Sequence, residues 1–398
     1  MSGTGRTRGP GVVFAGGGTG GHIFPAIAVL EHLRDRHPDL PALFLCSTRA
    51  IDARILTAQG AVPGRHSSAS ALRGCPVPAA RDALRTTYLP IPAAPLALSP
   101  RALARFAWRW GGAVRAAREA LRRMKAECSD VRILATGGFV AAPVAQAARI
   151  ERVPLLLLNQ DAPPGKANRW IARIADSIFT TAQVDRPGWT PIPPVVRRAA
   201  LAPGDAAQCR RELGLDPERP VLFVTGASQG SRSVNEFLAG FVRAHAAELR
   251  ADGWQVIHQT GSADNATWRA AYDEAGIPAV VEQFFDSVGV CWGAADAAVS
   301  RAGAGSVAEV WANRVPTLFL PYPYHRDQHQ RLNAEPLVRA GAALIERDHI
   351  QPEPNLAHAG PALLDLLRSP TRRHSIRAAV GGLGPVDGAA RLAAAIIA

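Results

Sequence analysis

The sequence of 398 residues lacks the cysteine patterns of a disulfide framework or a zinc site. Its five cysteines are odd in number, lie far apart and form no C-x-x-C pair. An even, closely spaced set would indicate a disulfide framework, and paired C-x-x-C spacings would indicate a zinc site. Uninterrupted apolar runs are lacking too, because the uncharged stretch 9–30 is broken by the glycine-rich run 16–21. Glycine there would expose backbone that lipid cannot satisfy. We therefore expect a reducing, cytoplasmic environment and, at most, peripheral contact with a membrane.

Several nucleotide- and metal-binding signatures are also missing. The chain has no D-x-D triplet, so nothing in it indicates a dedicated metal–diphosphate site, and no G-K-[ST] follows a glycine run, as a P-loop requires. A dehydrogenase would close its second strand with an acidic residue, but that position lies near Ser47 and Thr48, with no carboxylate before Asp52. We expect neither a metal ion nor a cofactor.

Acidic residues are scarce in one half only. Residues 1–200 contain 27 Lys and Arg against 12 Asp and Glu, whereas residues 201–398 contain 18 against 21, within a total formal charge of +12. Hydrophobic residues make up 47 % of the chain, which excludes a disordered polymer. The length is that of a globular protein of two or three domains, of which the first carries the basic surface.

Short apolar runs alternate with longer helical patterns in both halves, which indicates parallel sheets covered by helices. The Pro-rich stretch 186–196 separates the halves and reads as a linker. We expect an α/β fold of two doubly wound, Rossmann-like domains facing each other across a cleft, with ligands beyond the carboxyl ends of the strands. The predicted strands are 11–15, 42–46, 131–135, 154–158, 177–180, 221–225, 255–259, 279–282, 297–300 and 317–320.

Glycine-rich turns follow three of these strands, at 16–22, 136–139 and 225–232. Glycine lets backbone N–H groups approach an anion, and a helix N-terminus adds a favourable partial charge, so a phosphate site is implied. The first turn matches G-x-G-x-x-G, but glycine at a tight strand–helix junction also has a purely structural explanation. A further run, 303–306, could offer N–H groups to a diphosphate, with Glu309 one turn later as an acceptor for two vicinal hydroxyls. That combination suits a sugar nucleotide, although Glu309 could equally be a solvated helix carboxylate.

Six segments together resemble the MurG family, which transfers N-acetylglucosamine from UDP to undecaprenyl-diphosphate-linked MurNAc-pentapeptide (lipid I). They occur in the family's order over most of the chain: GGGTGGHIFPAIAV (16–29), ATGGFVAAP (135–143), PPGKANRWIARIAD (163–176), GASQGSRSVNE (226–236), RAGAGSVAEV (301–310) and PYPYHRDQHQRLNA (321–334). The resemblance implies a GT-B fold, with an acceptor and membrane-associating domain over 1–188, a donor domain over 189–370, and a C-terminal helix over 371–398 that returns to the first domain.

The resemblance also implies site residues. In the donor domain Ser228 would meet the diphosphate, Phe285 the uracil, and His329 with Gln330 the sugar hydroxyls. The full donor set is Thr19, Gly20, Gly21, Arg197, Ser228, Phe285, Ala304, Gly305, Ser306, Glu309, His329 and Gln330. The acceptor set is Gly17, Gly18, Gly137, Gly138, Phe139 and Asn168. For the general base we favour His22, whose ordinary pKa lies nearest neutral, with Asp161 as its rival.

Two departures from the family pattern fall in this site. The chain reads Asn159-Gln160-Asp161 where the family usually has E-Q-N, so the carboxylate stands two positions later, about 7 Å along an extended strand. Phe139 lacks the hydroxyl of the tyrosine often found there. The family's linker arginine matches Arg197 in an altered context, 193–198. These changes motivate an alternative, a catalytically impaired scaffold that binds UDP-sugar or lipid diphosphate.

Residues 99–125 contain eight basic residues against one acid, with Phe106, Trp108 and Trp110 interleaved. An arginine-rich helix with aromatics suits anionic lipid headgroups, although a solvated basic face is the simpler alternative. No nucleic-acid recognition motif accompanies it, so we expect no nucleic-acid partner.

Our leading hypothesis is an inverting transfer in peptidoglycan synthesis at the cytoplasmic face of the plasma membrane, with UDP-GlcNAc and the undecaprenyl-diphosphate lipid as partners. The lipid I C4 hydroxyl would displace UDP in one step, and the developing charge would fall on the helix N-termini after Gly226 and Gly303, with help from an arginine. A transferase with another lipid acceptor and a sugar-nucleotide epimerase are the other enzymatic alternatives.

Overall fold

The computed structural model describes residues 9–64, 86–94, 100–227, 230–261 and 265–398, with only the helical backbone described over 100–105. The chain divides into two compact units. The first consists of Met1–Gln160, Pro164–Ile192 and Gly388–Ala398, and the second of Asp161–Pro163 and Pro193–Asp387.

In its described part, the first unit has a parallel sheet of eight strands in the order β3-β4-β2-β1-β5-β6-β7-β8. The strands are β1 Gly11–Gly16, β2 Ala42–Cys46, β3 Val62–Pro63, β4 Thr86–Pro90, β5 Val131–Gly137, β6 Leu155–Asn159, β7 Ser177–Thr180 and β8 Trp189–Pro191. Strands β1, β2, β5 and β6 are nearly continuous runs of buried apolar residues. Such runs are typical of parallel strands covered on both faces.

Six helices are described in the first unit: α1 Gly20–Arg36, α2 Ala50–Ala58, α3 Pro100–Glu127, α4 Ala141–Glu151, α5 Lys166–Ile171 and α15 Gly388–Ile397. Helix α3 packs on α4 through a stripe of mostly small buried residues that includes Ala113, Ala117 and Leu121. Helix α15 packs on α1 and buries Leu392 and Ile396. The first unit therefore includes a helix that follows the whole second unit in sequence.

The second unit has a parallel sheet in the order β11-β10-β9-β12-β13-β14. Its described strands are β9 Val221–Thr225, β10 Gln255–Gln259, β11 Ala279–Glu282, β12 Ala297–Ser300, β13 Thr317–Phe319 and β14 Leu344–Ile345. Its described helices are α6 Ala206–Glu212, α7 Arg232–Ala244, α8 Ala246–Ala251, α9 Asn265–Ala275, α10 Val288–Ala294, α11 Ala304–Asn313, α12 His329–Arg339, α13 Pro352–Arg368 and α14 Pro370–Gly382. One turn of 3₁₀ helix covers Arg198–Ala200. A single core of buried apolar side chains fills the space between this sheet and its helices.

All ten strands predicted from the sequence are confirmed, with bounds that differ by two residues at most. The linker prediction over 186–196 needs correction, because β8 lies inside it and pairs in parallel with β7. Pro191 is tolerated there because β8 is an edge strand, where one side of the backbone needs no ladder partner. Helix α1 begins at Gly20, so His22 lies in its first turn.

The segment 371–398, predicted as a single helix, consists of two. Helix α14 begins earlier, at Pro370, and packs with α13 in the second unit, whereas α15 belongs to the first. Gly384 separates them with a left-handed φ of 95°, and Pro385 follows, which cannot continue a helix by donating an N–H. Among the described residues, no helix combines the length and the apolar character that crossing a bilayer requires.

Candidate functional site

The glycine-rich turn after β1 is closed by a carboxylate from the first turn of α2, the helix that follows the neighbouring strand β2. Gly18 donates its N–H to Asp52 Oδ2 at 2.8 Å and Oδ1 at 3.1 Å. Ser47 donates to Oδ2 through its N–H at 2.9 Å and its hydroxyl at 2.6 Å. Asp52 is completely buried. The Gly18 N–H of this turn, where the sequence predicts a phosphate site, therefore bonds an anion of the protein.

His22 lies between this turn and the second glycine-rich turn. Its Nδ1 is 3.0 Å from the carbonyl oxygen of Thr136, and the Thr136 hydroxyl donates to the His22 carbonyl at 2.6 Å. A carbonyl only accepts, so the contact requires the ring hydrogen on Nδ1 and leaves the lone pair on Nε2. His22 is thus oriented as a group that can take a proton.

Gly137 and Gly138 form the surface against which the His22 ring lies. Both have left-handed φ, 104° and 80°. A Cβ at Gly137 would be 3.1 Å from His22 Cε1, and one at Gly138 would be 3.1 Å from His22 Cδ2 and 2.6 Å from the Gly17 carbonyl oxygen. Only glycine fits both requirements.

Phe139 extends from the same turn toward Gly18, where an added Cβ would be 2.9 Å from the phenyl ring. The exposed guanidinium of Arg49 lies over this ring, 5.6 Å from its centroid, and donates to the Gly18 carbonyl at 2.7 Å. The Arg49 guanidinium therefore lies next to the first glycine turn, where it contacts both Gly18 and Phe139.

Asn168 is buried and donates to Asn159 Oδ1 at 3.0 Å. The amide nitrogen of Asn159, at the end of β6, donates to the Thr180 hydroxyl at 3.3 Å. Asn168 Oδ1 also lies beside Gly137, 2.9 Å from where a Cβ would stand. Both members of this amide pair are neutral, so the end of β6 carries an amide pair at this point.

Asp161 belongs to the second unit, together with Asn333 on α12. Asn333 donates its amide to Asp161 Oδ1 at 2.9 Å, and its own Oδ1 accepts the Ala162 N–H at 2.9 Å. The reciprocal pair fixes the 161–162 segment on the unit that contains Glu309, whereas His22 lies on the first unit.

Glu309, partly buried on α11, accepts a hydrogen bond from the indole N–H of Trp292 at 2.9 Å. Burial raises the pKa of Glu309, while the Trp292 hydrogen bond and the charge of buried Arg197 act in the opposite direction. The structure thus brings Arg197 and Glu309 into electrostatic contact. The indole holds one carboxylate oxygen in place, and such a carboxylate can accept from ligand hydroxyls.

Helix α11 begins at Ala304, with Gly303 as its N-cap in extended conformation. A Cβ at Gly303 or Gly305 would meet no described atom within 4 Å, so the described part of the protein leaves space beside these two positions of the helix start. Ser306 is buried in the first turn. Ala304, Gly305, Ser306 and Glu309 therefore share the N-terminal half of one helix, where the dipole favours an anion.

The turn after β9 is held from β10. Gln259 donates its amide to Thr225 Oγ1 at 3.2 Å and to the Ala227 carbonyl at 3.3 Å, and its oxygen accepts the Phe285 N–H at 3.3 Å. One side chain thus links the β9 turn to the Phe285 segment. Ser228, predicted to meet the diphosphate, lies outside the described residues.

His329 and Gln330 lie at the start of α12. His329 Nδ1 contacts Asp327 Oδ1 at 2.9 Å, and the ring stacks on His325 with centroids 4.3 Å apart. Gln330 Oε1 accepts the Tyr322 N–H at 2.9 Å, which holds the preceding segment to the helix. The amide nitrogen of Gln330 remains the group able to donate to a ligand.

Sequence reasoning did not foresee three partners that shape the site: Asp52 in the first turn, Trp292 on Glu309, and a buried ion pair behind α11. In that pair Arg301 contacts Asp348 at 2.6 Å, and Ser233 bonds both residues. Of these partners, only Asp52 could have been found from the sequence, because it is the first carboxylate after β2. Within the described ranges, no group of three or more His, Cys, Asp or Glu side chains is arranged to hold a metal ion.

Two family models match the chain. The glycosyltransferase family 28 N-terminal domain matches residues 12–65, and the glycosyltransferase family 28 C-terminal domain matches residues 221–373. A protein of Clavibacter sepedonicus is 33 % identical over 392 residues, covering 96 % of this chain and 94 % of the relative. One of Geobacter metallireducens is 30 % identical over 384 residues, covering 95 % of each. Both are named UDP-N-acetylglucosamine--N-acetylmuramyl-(pentapeptide) pyrophosphoryl-undecaprenol N-acetylglucosamine transferase.

Solved structures have the same fold. The crystal structure of Acinetobacter baumannii MurG has a TM-score of 0.68 at 21 % identity, covering 98 % of this chain and 99 % of that one. The S. aureus MnaA–UDP structure has a TM-score of 0.60 at 10 % identity, covering 96 % and 94 %. At these identities the likeness shows the fold alone, and the GT-B fold class predicted from the sequence is confirmed.

Proposed function

Because the chain belongs to glycosyltransferase family 28, and within it to the MurG family indicated by its six segments, we propose that it transfers N-acetylglucosamine from UDP-GlcNAc to the C4 hydroxyl of undecaprenyl-diphosphate-MurNAc-pentapeptide, forming lipid II. The observation that carries this proposal is the coexistence of an oriented imidazole, His22, with an open helix start beside Glu309 on the other unit.

His22 is the general base of the proposed reaction. Its Nε2 takes the proton of the acceptor hydroxyl while that oxygen forms the new bond to the anomeric carbon and the bond to UDP breaks, so the configuration inverts. The Thr136 carbonyl holds the Nδ1 hydrogen throughout and stabilises the imidazolium that forms. The adjoining turns, Gly17–Gly18 and Gly137–Phe139, bind the acceptor around this ring.

The second unit binds the donor. Glu309 accepts from the ribose hydroxyls, and the N–H groups over Ala304, Gly305 and Ser306 stabilise the diphosphate as its charge grows on departure. Buried Arg197 adds positive charge on this side. In the same proposal Ser228 also meets the diphosphate, Phe285 the uracil, and His329 with Gln330 the sugar hydroxyls, while Thr19, Gly20 and Gly21 complete the reacting centre.

The basic helix α3 supports peripheral attachment to an anionic membrane, at the cytoplasmic face where the lipid-linked acceptor is made available. Trp108 is 80 % exposed, and Arg109 and Arg115 beside it are exposed as well. An exposed indole flanked by arginines suits the boundary between headgroups and acyl chains.

The function is tested by incubating the purified chain with UDP-GlcNAc and a lipid I analogue, and measuring UDP and disaccharide formation. UDP release that depends on the acceptor is expected. His22→Ala should lower kcat by about 10²–10⁴-fold, the usual contribution of a general base, whereas Asp161→Asn should have a smaller effect. An undiminished kcat in His22→Ala would remove His22 from this role.

A second candidate, a binding scaffold without turnover, is favoured by one observation. The end of β6 carries the neutral Asn159–Asn168 amide pair, and Asp161 is engaged by Asn333. Calorimetric binding of UDP-GlcNAc with no UDP release in the presence of acceptor would support the scaffold and refute the transferase.

A further inference from the structure

The carboxylate of Asp52 is an acidic group inside the turn where the sequence predicts a ligand phosphate. Three donors serve it, the Gly18 N–H, the Ser47 N–H and the Ser47 hydroxyl, at distances between 2.6 and 3.1 Å. The residue is completely buried, and buried charges of this kind persist only when they are fully hydrogen-bonded.

Gly18 is hydrogen-bonded through both its N–H and its carbonyl group. Asp52 accepts its N–H, and Arg49 donates to its carbonyl at 2.7 Å. Gly17 leaves no room for a side chain, because a Cβ would be 2.4 Å from Asp52 Oδ2. The Gly17 carbonyl in turn lies against Gly138, which cradles the His22 ring. A continuous set of contacts thus runs from the buried carboxylate to the imidazole.

We propose that Asp52 is a positioning residue that acts as a built-in anion. Its carboxylate takes the place that a phosphate takes at other strand–turn–helix junctions, and it thereby fixes the turn that holds His22. The first glycine turn accordingly presents the base, and Gly18 contacts the acceptor through atoms other than its N–H, which Asp52 engages. The inference deepens the proposed function and rests on it for its kinetic readout.

Asp52→Asn and Ser47→Ala form a matched pair for the kinetic test. The asparagine keeps the shape, but its NH₂ group would face donors at Ser47, whereas Ser47→Ala removes one donor and keeps the carboxylate bonded to Gly18. Asp52→Asn should lower kcat by about 10²-fold, the loss that misplacement by about 1 Å can cause, with the KM for UDP-GlcNAc unchanged. Ser47→Ala should lower kcat less than Asp52→Asn does, because the carboxylate keeps its hydrogen bonds to the Gly18 and Ser47 N–H groups. A wild-type kcat in Asp52→Asn would overturn the inference.

Chemical rescue separates positioning from general damage to the fold. Asp52→Ala leaves a gap of about the size of a small carboxylate, so sodium formate should restore its kcat, while sodium chloride at equal ionic strength should not. Formate should leave His22→Ala unimproved. Equal responses of Asp52→Ala to formate and chloride would contradict the built-in anion.

A readout that requires no turnover keeps this inference distinct from the proposed function. The ring Cε1–H resonance of His22, assigned by its loss in His22→Ala, should shift in Asp52→Ala and return with formate. If the wild-type chain released no UDP but the resonance behaved in this way, the transferase proposal alone would fail. An unchanged His22 resonance in Asp52→Ala would overturn the inference whatever the activity.

Discussion

At the scale of single residues, burial of the Glu309 carboxyl affects stability, and the same carboxyl has the proposed role in donor binding. Burial raises the pKa of this carboxyl above its ordinary value of 4.5, so the folded chain holds its proton more tightly than the unfolded chain does. The associated stability is fully present below the unfolded pKa and is lost as pH rises through the folded pKa. Above that range the ionised group destabilises the fold while it remains available to accept from donor hydroxyls.

Glu309→Gln should therefore gain stability relative to wild type as pH rises from about 4 toward neutrality, because glutamine avoids ionisation. The same variant should raise the KM for UDP-GlcNAc by roughly tenfold or more, since a hydrogen bond to a charged group contributes about 1.5–3 kcal/mol. Thermal unfolding across pH and steady-state kinetics measure the two effects. A stability deficit that widens with pH would contradict the raised pKa of Glu309.

The residue scale also shows where sequence reasoning reaches its limit. The glycine spacing predicts all three turns, and the sequence also indicates His22, at the end of the first turn, as the candidate base. The anion that fills the first turn was not, because Asp52 stands 34 residues from Gly18 and meets it only after β1 and β2 pair in register. Trp292 and Glu309 are likewise brought together by the packing of α10 on α11. Such pairings depend on tertiary geometry, which residue spacing does not encode.

At the scale of elements, some basic residues of α3 form ion pairs within the protein and others are exposed to solvent. Arg118 and Arg122 pair with Glu151 at 2.7 and 3.0 Å, and Lys125 donates to the Glu151 carbonyl. Arg123 pairs with Glu119. The C-terminal half of the helix is thus engaged largely within the protein, whereas Trp108, Arg109 and Arg115 are exposed and form the surface proposed to bind lipid.

The double variant Arg109→Gln/Arg115→Gln should bind anionic vesicles on the order of tenfold or more weakly, because each charge contributes on the order of 1 kcal/mol at the surface. Trp108→Ser should weaken binding further by removing the inserted ring. Tyr324→Ala, which removes a 69 % exposed aromatic on the second unit, is the control and should bind as wild type. Co-sedimentation at fixed salt measures all of them, and indifference of the wild-type chain to anionic lipid content would count against this surface.

Element prediction succeeded for the buried apolar runs and also for the edge strand β11, but it missed four described strands. Three of these, β3, β8 and β14, lie at sheet edges, and the fourth, β4, lies next to the edge. Central strands such as β9 and β12 are continuous apolar runs that the sequence displays directly. The edge strands β3 and β14 have two residues each, and β8 contains Pro191. Edges need few apolar residues and tolerate proline, so their sequences resemble loops.

At the scale of the whole molecule, each unit has its own core, and α15 completes the first. Leu392→Ala should destabilise that unit by about 2–5 kcal/mol, the usual cost of a buried leucine truncation. Leu366→Ala, equally buried in the second unit, is the matched control. In calorimetry the two variants should lower different unfolding transitions, and UDP-GlcNAc should raise only the one affected by Leu366→Ala. A shared loss in a single transition would show that the two cores unfold together.

The passage of the chain between units has a consequence for synthesis on the ribosome. The strands of the first sheet are complete by Pro191, yet the helix that covers α1 begins only at Gly388. At about 5–20 residues per second, the intervening stretch takes about 10–40 s to translate. During that interval the apolar face of α1 that receives Leu392 and Ile396 is uncovered. The first unit to emerge is therefore completed only after the second unit has been synthesised.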